Sequence, residues 1–75
     1  MTAKPVIRRQ NAAPFAPYSM MLADGRELWI NHPDFASISQ EEDSITVFDM
    51  GGGVEIVDLA LVVSLKYSGE LTRVR

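Results

Sequence analysis

The stretch Tyr18-Ser19-Met20-Met21-Leu22-Ala23-Asp24-Gly25-Arg26-Glu27-Leu28-Trp29-Ile30-Asn31 decides how this chain folds. Two apolar runs flank Asp24-Gly25. Asp-Gly at such a junction is a strong hairpin signal, because a type I′ turn needs positive φ at both central residues. A two-residue turn also sets the register. It places Ala23 against Arg26, Met21 against Leu28 and Ser19 against Ile30 on one face. Leu22 with Glu27, Met20 with Trp29 and Tyr18 with Asn31 fall on the other. Both faces are then substantially apolar. One should line a core, and the other needs a cover from the N-terminal segment or a second subunit.

Downstream, His32-Pro33-Asp34-Phe35 breaks the second strand. The spacing predicts further strands at Ala36–Gln40, Ser44–Met50 and Val54–Val57, with an acidic loop at Glu41-Glu42-Asp43 and a glycine turn at 51–53. Asp58-Leu59-Ala60 reads as one helical turn. In the last strand, Leu61–Tyr67, Leu61, Val63, Leu65 and Tyr67 are expected to point inward, with Ser64 and Lys66 outward. Upstream, residues 1–13 read as a short helix or arm, with Pro5 tolerated in its first turn. Pro14-Phe15-Ala16-Pro17 is a rigid extended link. The expected architecture is mainly β: a small SH3-like or Sm-like barrel of five to six short antiparallel strands with a short N-terminal helix. Closure would remove the exposed edges. Residues 1–68 form the one domain in this reading, and 69–75 a mobile tail.

Composition limits what such a domain can do. The chain has 75 residues and a mass of 8.3 kDa, room for one domain without a large internal cavity. It has no cysteine, which excludes disulfides, thiolate metal sites and a cysteine nucleophile. A domain this small buries little of its surface and lacks staples, so self-association is expected. The formal net charge is −3. Residues 1–23 carry Lys4, Arg8 and Arg9 and no acid; residues 24–58 carry nine acids against Arg26 alone. An acidic middle between basic ends suits attraction between copies and disfavours RNA as the partner. No apolar leader is apparent and the longest apolar run is Leu59–Val63, against about 20 residues for a membrane span. The expected setting is therefore cytoplasmic, away from any membrane.

Two resemblances follow from these residues. Pro14-Phe15-x-Pro17-Tyr18, Leu22-x-Asp24-Gly25-Arg26, His32-Pro33-Asp34-Phe35 and Ile56-Val57-Asp58-Leu59 together resemble the pattern of a family of uncharacterised short bacterial proteins. That likeness spans most of the chain. It implies a shared fold and a bacterial source, and no activity. The order of elements is similar to that of Sm-like proteins, including the Hfq-type RNA chaperones, which form rings and bind RNA. That resemblance implies a ring-forming, RNA-binding module, although the segment Glu55-Ile56-Val57-Asp58 is acidic where a basic signature would be needed.

Few side chains suit chemistry. His32 is the only histidine, and a base needs an orienting partner and a pocket. A turn role, with the imidazole bonded to nearby backbone, accounts for it more simply. Glu41, Glu42, Asp43 and Asp49 lack the spacing of a calcium loop. The glycine run lacks the Lys-Ser/Thr of a phosphate loop. No catalytic residue, metal or cofactor is expected. The candidate interaction surface is Tyr18, Met20 and Trp29, with His32, Arg8 and Arg9. Aromatic and Met side chains of this kind belong to packing or subunit contacts when no basic residues lie beside them.

Overall fold

The computed structural model describes residues 1–67; the tail expected at 69–75 lies outside them. The fold is mainly β. Helix α1 (Ala3–Gln10) precedes six strands: β1 (Tyr18–Leu22), β2 (Glu27–Ile30), β3 (Ala36–Ile38), β4 (Ser44–Phe48), β5 (Val54–Asp58) and β6 (Val62–Tyr67). They form two antiparallel three-stranded sheets, ordered β2-β1-β6 and β3-β4-β5. Among the described residues no ladder joins the sheets, which share one core, and closure into a barrel is not shown.

The chain changes sheets at two 3₁₀ turns, Pro33–Phe35 and Leu59–Leu61. Each is capped by the residue before it. His32 Nδ1 accepts from the Asp34 amide at 3.1 Å, and Asp58 Oδ1 accepts from the Ala60 amide at 2.9 Å. Each corner thus supplies an acceptor for an amide that a strand partner no longer satisfies. The two halves share one pattern of hairpin, capped corner and strand, and the last strand of each pairs with the first strand of the other.

The first hairpin differs from its sequence reading by one residue. Tyr18 pairs with Ile30, Ser19 with Trp29, Met20 with Leu28 and Met21 with Glu27. The Leu22 amide bonds the Arg26 carbonyl at 2.8 Å, and the Gly25 amide bonds the Leu22 carbonyl at 2.9 Å. The loop therefore has three residues, Ala23-Asp24-Gly25, with Gly25 at φ +93°. That conformation is one that a glycine reaches without a Cβ clash. The Arg26 amide also donates to Asp24 Oδ1 at 3.0 Å, so Asp24 stabilises the longer loop.

This register resolves the two faces. Tyr18, Met20 and Ile30 are fully buried and Leu22 nearly so. Ser19, Met21, Glu27 and Trp29 take the outer face. Ser19 is buried there too, donating to Glu27 Oε2 at 2.7 Å, with Lys66 Nζ 3.5 Å from the same oxygen. The last strand also departs from simple alternation. Met21 pairs with Ser64 and Leu22 with Val62, so Val63 is an extra, bulged residue. Val62 turns into the core, while Leu61, Val63 and Tyr67, all expected inside, are exposed.

Helix α1 is shorter than residues 1–13. Its Val6 is fully buried. Gln10 Nε2 donates to the carbonyls of Pro33 (2.7 Å) and Ala36 (2.9 Å), and its Oε1 accepts from the Tyr18 hydroxyl (2.7 Å). At the other end the Met1 ammonium donates to the Val62 carbonyl at 2.7 Å. The helix is thereby tied to β1, to the first corner and to β6.

A candidate interaction surface

The structure divides the residues that the sequence grouped together. Tyr18 and Met20 have no exposed surface, and a side chain without surface cannot meet a partner. Burial pushes the Tyr18 hydroxyl up to about 12, because ionisation would leave a charge in the core. Trp29 lies on the opposite face, 50% exposed. The one-residue shift causes this separation, since it exchanges the faces of every β2 side chain relative to β1. His32 caps its corner, with Asp34 Oδ2 3.7 Å from Nδ1 and the Phe35 ring 5.8 Å away. Arg8 and Arg9 fall in the last turn of α1, where positive charge suits the helix dipole. Arg9 sits over the Tyr67 ring, 4.1 Å from its centroid.

The surface that sequence reasoning missed is β5. Among the described residues it pairs with β4 on one side only and is an edge of its sheet. The Asp49 amide bonds the Gly53 carbonyl and the Leu59 amide bonds the Asp43 carbonyl. Antiparallel ladders alternate between hydrogen-bonded and non-bonded pairs. Ile45–Val57 and Val47–Glu55 are then the bonded pairs, and the N–H and C=O groups of Val54, Ile56 and Asp58 point away from β4. Their side chains share the outer face, where Val54 is 61% and Ile56 70% exposed. The signal was present in Val54-Glu55-Ile56-Val57-Asp58. Buried Val57 fixes the inward phase, so Val54 and Ile56 must point out.

The charges at this edge are engaged within the chain. Arg26 reaches from the first hairpin to hold Glu55 in a forked contact, Nη1–Oε1 at 3.1 Å and Nη2–Oε2 at 2.6 Å, while its Nε holds Asp24 at 2.9 Å. Hydrogen bonding to Arg26 holds Glu55 below the ordinary carboxylate range, and bonds from the Arg26 amide and side chain do the same for Asp24. The bonds to Glu55 and then Asp24 raise Arg26 in turn. Beside this clamp, Ile56, Leu61 and Leu22 line a cleft of about 260 Å³.

Among the described residues no three of His, Asp and Glu gather as metal ligands, and no helix is long and apolar enough to cross a membrane. No family model matches the chain, and neither a curated protein nor a solved structure matches it.

Proposed function

We propose that this protein is a non-enzymatic module, an SH3-like or Sm-like small β fold, that works by self-association through the free edge of β5 and by contact with other proteins. The observation that carries this reading is the edge itself, an unpaired ladder flanked by exposed Val54 and Ile56. Unpaired edges of this kind pair with other chains unless charge, proline or a bulge blocks them. β5 holds no proline or bulge, and of its two carboxylates Glu55 is paired with Arg26 while Asp58 accepts from the Ala60 amide. Two copies can pair antiparallel about Ile56, so that Ile56 meets Ile56 and Val54 meets Asp58. All the backbone groups brought together in that register are the outward-pointing ones. No carboxylate then sits directly opposite another, and Glu55 is already neutralised by Arg26. The result is a continuous six-stranded sheet with a shared Val54–Ile56 stripe.

Light scattering on the eluting protein tests this, with absorbance read at 260 and 280 nm. A dimer at micromolar concentration is expected, free of nucleic acid, and Ile56→Lys should return it to monomer with its fold intact. A strictly monomeric wild type at high concentration overturns the reading. A multimer whose 260 nm absorbance falls after nuclease would favour the Sm-like RNA-binding alternative.

A further inference from the structure

A second surface lies between β2 and the β4–β5 turn. There Leu28, Trp29, Phe35, Val47, Phe48 and Met50 line an open cleft of about 330 Å³. It is the aromatic concentration of the surface: Trp29 is half exposed, Phe48 is 39% and Met50 is 87% exposed. Exposed aromatics and Met clustered in a concave site mark a place where a partner is bound.

The cleft also has a backbone wall. Among the described residues β2 pairs only with β1 and is an edge of its sheet. The Leu22 amide bonds the Arg26 carbonyl, so alternation makes Leu22–Arg26, Met20–Leu28 and Tyr18–Ile30 the bonded pairs. The N–H and C=O groups of Glu27, Trp29 and Asn31 therefore point off the free edge, and all three residues line the cleft. An extended chain laid along β2 meets a ready ladder.

Its charge is of one sign. Glu27 and Asp49 stand at the cleft and no lysine or arginine lines it. Each carboxylate spends one oxygen internally. Glu27 Oε2 takes Ser19 and Lys66, and Asp49 Oδ1 takes the amides of Gly51 and Gly53 at 2.8 Å. Among the described residues Glu27 Oε1 and Asp49 Oδ2 accept no hydrogen bond. The Ser19 bond first, then Lys66, keeps Glu27 below the ordinary glutamate range and ionised at neutral pH.

We propose that this cleft binds an extended, arginine- or lysine-bearing segment of a partner protein. Its backbone adds to the β2 edge, and its cationic side chains lie over the Trp29 indole and reach Glu27 and Asp49. Aromatic faces and free carboxylates both favour a cation, and an extended backbone alone can use the ladder. An anionic chain such as RNA would meet like charge here.

Trp29 is the only tryptophan, so its fluorescence reports the site directly. The full chain is titrated at low salt with a capped octapeptide of alternating arginine and threonine, with the glutamate-threonine octapeptide, and with oligouridylate. A saturable change with the arginine peptide alone is expected, weakening about tenfold as salt rises to physiological strength. Met50→Lys, at an open position, should weaken binding about fivefold, and Phe48→Ala by a similar factor, both with unchanged circular dichroism. Ile56→Lys should leave the affinity unchanged, which separates this site from the β5 edge. No saturable change, an equal response to the glutamate peptide, a response to oligouridylate alone, or full affinity in both Met50→Lys and Phe48→Ala would each overturn the proposal.

Discussion

β1 and β4 hold the same station, each the central strand of an antiparallel three-stranded sheet. Their inward faces are alike, with Tyr18, Met20 and Ile30 from one sheet meeting Ile45 and Val57 from the other. Their outward faces are not. On the first sheet Ser19, on the central strand, is covered and bonded to Glu27, which also takes Lys66, while Trp29 on the β2 edge stands half exposed. On the second sheet Val54 and Ile56 stand in the open beside an unpaired edge. Apolar surface left exposed costs free energy in water, roughly 25 cal/mol per Å². A central strand can therefore be finished by the chain's own polar groups while the edge strands beside it leave apolar side chains in the open.

The sharpest test sets Ile30→Ala against Ile56→Ala, both followed by urea denaturation at concentrations where the protein is monomeric. Ile30→Ala should cost about 2–5 kcal/mol, because it opens a cavity in a filled core. Ile56→Ala should change stability by no more than about 0.5 kcal/mol. A large cost at Ile56 would break the comparison, showing that its face is covered within one chain.

Tyr18→Phe is expected to cost about 1 kcal/mol, since the ring stays packed while Gln10 Oε1 loses its donor. The same group gives an alkaline limb. Its raised value means that the neutral hydroxyl is part of the folded state's stability. That contribution is complete below the ordinary tyrosine value of about 10 and is lost as pH rises towards about 12. Tyr18→Phe should flatten that limb in a pH series of thermal midpoints.

A smaller effect belongs to the acid side. Asp24, Glu27 and Glu55 are all held below their ordinary values. Their contributions are present above about pH 4 and fade as pH falls through the lowered values. All three are on the surface, so solvent screening keeps each contribution small. Arg26→Gln should remove the Glu55 part of this limb and the side-chain share of the Asp24 part, and leave the share due to the Arg26 amide and the part due to Glu27. If Arg26→Gln leaves the acid limb unchanged, the clamp between the first hairpin and β5 contributes nothing to stability.

Much of the fold was legible in the chain. Asp24-Gly25 announced the first hairpin, and the sequence pattern located the later strands within one or two residues. His32 and Asp58 stand where the sequence breaks its strands, and both serve as caps. The candidate surface was less legible. Tyr18 and Met20 look like Trp29 in hydropathy, and a single residue of register separates core from surface.

Local chemistry alone determined where this protein turns and where its strands begin, because φ preferences, caps and alternation act within a few residues. Three decisions were left to the tertiary structure. Asp24 and Gly25 favour a turn of two residues or of three, and burying Tyr18, Met20 and Ile30 together selected three. The bulge at Val63 let Val62 fill the core opposite Leu22. Strand order left β2 and β5 each with an unpaired edge. Register, bulge and edge all depend on contacts between segments far apart in the chain, and no local preference encodes which distant strand will arrive.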